Sequence, residues 1–281
     1  MLTISVNPVA FTIGSLQIRW YGIMVAIAVA SLLVVMLREA KRRGIERNIY
    51  SIFLWGIIGG LVGGRLTYVI YYWPSFVANP RTIFGFQGSA QTGVIIGIIV
   101  AALIYMGVTR MRFSALLSIG DAFIVGAPLA LAIGRIGCTL NGCCYGQPSP
   151  FHFFPLAVIY TPRDTIPPEY WGVPLYPTQI YHVLWNLIVF AIVWRFRGKF
   201  KPEGSLLFFG LCIFAPGDLS LRFLRNRGAI LFWNLDNPQV VDLAIFVIFL
   251  PWLIIKLRRS QKQVLGAELI TEVGPEQSRE D

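Results

Sequence analysis

The sequence predicts an all-α polytopic membrane protein with seven transmembrane helices, and three observations carry that expectation. Of its 281 residues, 56% are hydrophobic and 14% charged. With a mean hydropathy of +0.64, this is more apolar than a globular surface tolerates. Seven stretches stay apolar over the roughly 20 residues that a helix, rising about 1.5 Å per residue, needs to cross ~30 Å of hydrocarbon. The basic residues behind the net charge of +10 gather beside those stretches, so topology accounts for the charge and no nucleic-acid partner is expected.

The opening MLTISVNPVAFTIGSLQIRWYG lacks a basic segment followed at once by an apolar core, so no cleavable signal is expected and the first helix stays. The spans lie near residues 18–37, 49–73, 91–109, 114–137, 178–196, 204–223 and 237–256, with only TRMRF between the third and fourth. Arg38, Lys41, Arg42, Arg43 and Arg47 follow the first span. Further clusters follow the third, fifth and seventh, while the opposite connections carry scattered arginines such as Arg81, Arg163, Arg225 and Arg227. The positive-inside rule then puts the N-terminus outside and the C-terminus in the cytoplasm.

Residues 1–260 read as one seven-helix membrane domain. The extracytoplasmic loop after helix four, 138–177, holds eight prolines and is long enough to be a lid or a small head. Residues 261–281 are polar and acidic and are expected to be a disordered cytoplasmic tail. There is no visible internal repeat of the kind found in many secondary transporters.

An ionised side chain within a bilayer costs at least ~2.5 kcal/mol, so each one marks a candidate site. Here these are Arg65, Asp121, Arg135, Asp218, Arg222 and Asp242. Arg65 follows a run of small residues that lets helix backbones approach; it is either a site residue or a snorkelling or ion-paired structural arginine. Arg135 stands fourteen residues after Asp121, about 21 Å along a helix and too far to pair with it. It therefore needs another anion, and a lipid phosphate at the outer interface fits the planar fork of a guanidinium.

Cys138, Cys143 and Cys144 are spaced C-x4-C-C, which lacks the C-x2-C pair of zinc sites, so no metal is expected. They are either buried thiols lining a helix end or include an outside-facing disulfide at Cys138. Asn141 with Gly137, Gly142 and Gly146 lets the chain turn out of the membrane while presenting amide donors.

The stretch that gathers these residues, GRIGCTLNGCCYG, resembles the glycine- and arginine-rich segment of the bacterial prolipoprotein diacylglyceryl transferases, their cysteine-bearing variants especially. Further pieces fall in the same order: IRWYGIMVAIA, GGRLTYVIYY, PLAVIYTP and YPTQIYH. The resemblance covers about residues 15–260. It implies an enzyme of the bacterial plasma membrane, working without a cofactor, whose partners are phosphatidylglycerol, membrane lipid and the lipobox peptide of a prolipoprotein. The diacylglyceryl group passes to the lipobox cysteine thiol and glycerol phosphate leaves. Carried over by position, Arg135 is the headgroup-binding arginine. Tyr21, Arg65, Asn141, Gly146, Gln179 and Tyr181 match motif positions and are expected to bind substrate in a site among helices two, four and six.

Two departures from the family pattern stand out. Before the third helix some members have a histidine proposed as a base and many others a tyrosine, whereas AQTGVIIG offers Thr92, or Gln91 one place earlier, neither of them a base near neutral pH. The chain has only two histidines, His152 and His182. His182 stands where the family usually has glutamate, and is either a substitute base or a helix-end histidine with an ordinary hydrogen bond.

The second departure is in helix six, where the family reads Gly-Arg, an acid four places on and Arg three further. GDLSLRFLR instead gives Asp218, Arg222 and Arg225. Positions four apart share a helix face, so the pair survives reversed, with Arg222 expected as second phosphate arginine and Asp218 as its partner. A one-turn insertion would make Asn226 the acid, but it breaks the FLR match. The reversal raises an alternative function: a phosphatidylglycerol-binding paralogue with another acceptor or no transferase activity.

Overall fold

The computed structural model describes residues 2–14, 16–78, 91–162, 165–200, 202–226 and 230–273. Seven of its helices are long and apolar enough to cross a membrane. They are α1 (Trp20–Arg43), α2 (Ile49–Tyr71), α4 (Gln91–Thr109), α5 (Phe113–Asn141), α6 (Thr178–Phe196), α7 (Ser205–Arg222) and α8 (Asn237–Val273). A short α3 (Trp73–Ala78) follows α2. These are the seven expected spans. Beyond residue 260 α8 runs on as helix through residue 273. Residues 274–281 lie outside the described residues, as do Arg81, Arg163 and Arg227.

Asp236 and Gln239 start α8 with a reciprocal cap. Each backbone N–H donates to the other's side-chain oxygen at 2.9 Å, which satisfies two donors that the first helical turn would otherwise orphan. At α7 the cap comes from another helix. Asp121 of α5 accepts from Gly204 N–H and Leu207 N–H, each at 2.8 Å, and from Arg43 Nη1 at 3.1 Å. Arg43 also bonds Glu39 at 2.8 Å. Asp121 is thus fully engaged in tying α1, α5 and α7 together.

Val35 of α1, Ile124 and Val125 of α5, Val189 and Val193 of α6, and Leu206 of α7 form the central apolar core. A second core, with Met36, Ile49, Ile52, Tyr105 and Ile119, joins α2 and α4 to α1 and α5 at the Arg43 end. Large apolar side chains on the outside of the bundle, such as Leu61 (70% exposed) and Ile70 (67% exposed) on α2, are what a lipid-facing surface requires.

The α2–α4 pair packs on glycine, as the small-residue run before Arg65 implied. A Cβ placed on Gly63 would lie 2.3 Å from Gly93 O and 2.7 Å from Gly97 Cα. Gly63→Val must therefore push the helices apart, and overpacking of this kind costs about 1–3 kcal/mol. The expected result is a thermal midpoint in detergent lowered by roughly 2–12 °C; an unchanged midpoint would show that the seam is not tight.

The N-terminal strands were not foreseen. β1 (Leu2–Ile4) pairs in parallel with β4 (Val158–Tyr160) of the long loop, and β2 (Val9–Ile13) forms a hairpin with β3 (Leu16–Arg19). Ile4, Val158, Tyr160, Ile166 and Leu175 make a small core of their own. The loop after α5 is therefore a packed head. A further hairpin, β5 (Ile230–Phe232) with β6 (Leu235–Asp236), leads into α8.

Candidate active site

The site forms where α5 ends under the head. Gly142, at φ 74°, closes the helix: its N–H donates to Thr139 O at 3.3 Å, and Cys143 N–H donates to Cys138 O at 3.1 Å. This paired pattern is a standard glycine stop. Successive residues of an extended chain point to opposite sides. Cys144 breaks that alternation with a left-handed backbone, φ 63°, and the Sγ atoms of Cys138, Cys143 and Cys144 all come within 4.8 Å of one another. All four cysteines are free thiols, so the disulfide alternative at Cys138 is not the state seen.

The N-terminus of α6 holds this loop in place. Thr178 Oγ1 donates to Cys144 O at 3.0 Å and Gln179 Nε2 to Cys143 O at 2.9 Å. Gly146 N–H donates to Tyr176 O and Gln147 N–H to Leu224 O, both at 2.9 Å. A Cβ on Gly146 would meet Tyr176 Cβ at 2.5 Å and Leu224 O at 2.8 Å, so only glycine fits where the loop joins the end of α7 to the start of α6.

Arg135 lies one turn before the cysteines, half-buried. Its guanidinium is within electrostatic reach of Cys144, Tyr21 and Asp218. Arg225, just beyond α7, also reaches Cys144. Among the described residues, neither Arg135 nor Arg225 has a carboxylate within 4.0 Å. Hydrogen bonds from the Cys138 and Cys143 thiols, with Arg225 and Arg135 behind them, hold the Cys144 thiol well below the usual thiol range despite its burial. Tyr21, at the start of α1, is 43% exposed and completes the cluster.

Below this cluster lies a dry ionic network. Arg222, 3% exposed, directs Nε to Asp218 Oδ2 at 2.6 Å and to Asp242 Oδ2 on α8 at 3.0 Å. His182, 1% exposed, has Nδ1 2.6 Å from Thr178 O. A carbonyl only accepts, so Nδ1 carries a proton. Nε2 lies 3.3 Å from Asp218 Oδ1.

A family profile described as prolipoprotein diacylglyceryl transferase matches residues 8–255. The chain belongs to the prolipoprotein diacylglyceryl transferase family. It is 35% identical over 266 residues to the phosphatidylglycerol–prolipoprotein diacylglyceryl transferase of Dehalococcoides mccartyi strain BAV1, covering 94% of this chain and 98% of that protein. Proteins of the same name from Clostridium tetani and Coxiella burnetii strain RSA 331 are 30% and 28% identical, covering 92% and 86% of this chain and 100% and 92% of theirs.

Within this diacylglyceryl transferase, the structure gathers Arg135, Tyr21 and Asn141 with the three thiols. Asn141 is the last residue of α5, accepts from Thr165 Oγ1 at 2.6 Å through its carbonyl, and lies against Cys143. Other expected substrate-binding residues help to build the site, although Gln179 Oε1 is buried with no hydrogen-bond partner among the described residues. Gln179 and Gly146 hold the loop as above, and Tyr181 donates to Pro155 O at 2.7 Å. Arg65 is half-buried on α2, with its guanidinium 5.1 Å from the Tyr68 ring centre.

Arg222 lies between the Asp218 and Asp242 carboxylates inside the bundle, with Asp218 on its own helix and Asp242 on α8. His182 is buried, with Nδ1 on Thr178 O and Nε2 3.3 Å from Asp218 Oδ1. Thr92 is half-buried near the start of α4, and the Gln91 side chain lies outside the described residues. Sequence reasoning left Arg225 out of the site. The signal was present in the FLR match, since the arginine three places after the pair is the one without an acid.

Proposed function

We propose that the chain transfers the diacylglyceryl group of phosphatidylglycerol to the lipobox cysteine thiol of a prolipoprotein, releasing glycerol phosphate, at the outer face of a bacterial plasma membrane. The observation that carries this reading is the pair of arginines without carboxylate partners among the described residues, Arg135 and Arg225, at the junction of bundle and head in a chain of this family. Phosphate is the anion that the pair fits. The thiolate of the peptide attacks the glycerol carbon esterified to phosphate, and the leaving oxygen gathers charge as the bond breaks. Donors fixed in advance around that oxygen lower the barrier, since they need no reorganisation during the step. The head stands over the site and guides the peptide, with the N-terminal strands outside and α8 ending in the cytoplasm.

The test combines purified protein, phosphatidylglycerol and a lipobox peptide, and reads the peptide mass and the released glycerol phosphate. A diacylglyceryl mass shift with equimolar glycerol phosphate is expected. Folded protein that binds phosphatidylglycerol yet yields neither product would instead identify a lipid-binding paralogue, the reading that the reversed Asp218/Arg222 order raises.

A further inference from the structure

We propose that Cys138, Cys143 and Cys144 hold a zinc ion whose fourth position takes the lipobox thiol as a thiolate, a proposal that rests on the transferase reading above. The chemistry poses the problem first. A cysteine thiol has an ordinary pKa near 8.5 and attacks only as thiolate, so something must remove or replace its proton. Thr92 and Gln91 are not bases, His182 is 1% exposed inside the bundle with Nδ1 on Thr178 O, and His152 is exposed in the loop. A metal-bound thiol, in contrast, is deprotonated outright.

The three thiols suit such an ion. A Zn–S bond is about 2.3 Å, which sets sulfurs about 3.8 Å apart around a tetrahedral ion; here they lie within 4.8 Å. Their positions are built rather than accidental. The Gly142 stop, the left-handed turn at Cys144, and the hydrogen bonds from Thr178 and Gln179 to the Cys144 and Cys143 carbonyls fix the loop. Among the described residues no fourth ligand joins the group. Three protein ligands with one open position is the pattern of catalytic, not structural, zinc. Cys143 and Cys144 are half-buried and Tyr21 beside them is exposed, so the open side faces the substrates. Three thiolates on Zn²⁺ leave one negative charge, which Arg135 and Arg225 offset.

The step balances without redox change. The peptide thiol binds zinc and gives its proton to solvent at the outer face. Its sulfur lone pair forms the bond to the glycerol carbon as the carbon–oxygen bond breaks, and that electron pair leaves with the phosphate oxygen of glycerol phosphate. The neutral thioether then dissociates and the zinc stays divalent.

The test uses full-length protein in detergent, stripped by a chelator and titrated with Co²⁺ as a coloured stand-in for zinc. One Co²⁺ per chain with a thiolate-to-cobalt charge-transfer band is expected, displaced by Zn²⁺, weakened in Cys143→Ser and lost when all three cysteines are serine. Adding lipobox peptide should change the cobalt spectrum, while a peptide with serine for cysteine should not. Transfer should fall at least about tenfold on stripping and return with Zn²⁺. A band unchanged in the triple variant, a spectrum that ignores the cysteine peptide, or full transfer by protein shown by mass spectrometry to hold no zinc would each overturn the proposal. Cobalt and peptide responses as expected with no transfer from zinc-loaded protein would uphold the metal site and sink the transferase reading instead.

Discussion

Arg135→Ala is expected to lower kcat/KM for diacylglyceryl transfer by at least about 10²-fold, the usual loss when one fixed donor to a developing oxyanion is removed. Its thermal midpoint should stay near that of the wild type. Both halves follow from the same observation. Arg135 is half-buried, and among the described residues it has no carboxylate within 4.0 Å, so its removal strands no buried charge. What it removes is a cation that the proposed transfer sets against the lipid phosphate. Arg135→Lys should recover part of the rate, because a point charge remains while the two-pronged geometry is lost. Arg225→Ala should lose activity in the same sense. Full transfer by folded Arg135→Ala protein would remove its role as headgroup anchor.

The seven spans were legible because the bilayer forces one answer: about 20 apolar residues in a row have no alternative but a helix. The N-terminal strands were not legible. β1 is three residues long and finds its partner β4 in the loop after α5, so no local pattern marks it. The helical continuation of α8 past residue 260 runs through polar sequence that composition alone reads as disorder.

At the site the contrast is sharper. Arg135 stood out because a charge near the end of an apolar helix demands a reason. The cysteines did not, since C-x4-C-C hides a cluster that only the glycine stop and the left-handed Cys144 reveal. The Asp218–Arg222 pair was readable from its four-residue spacing. Asp242, twenty residues further on in another helix, was not, and it is this residue that decides what Arg222 does.

Arg222→Met should therefore be chiefly a folding defect. It leaves Asp218 and Asp242 facing each other in a dry interior, 1% and 4% exposed, and stranding buried charge in this way costs about 3–5 kcal/mol. In a chain of this size that is a drop of roughly 6–20 °C in thermal midpoint. Adding Asp242→Asn should restore part of the loss by removing one of the two carboxylates left facing each other. The same geometry explains why the reversed order cannot simply be turned back. Exchanging the pair as Asp218→Arg with Arg222→Asp places a carboxylate at 222, beside Asp242. The exchanged protein should be less stable than the wild type, and Asp242→Asn should rescue it. Unchanged midpoints in Arg222→Met and in the exchanged pair would show that the network contributes nothing to the fold, and would favour Arg222 as a ligand of the lipid phosphate.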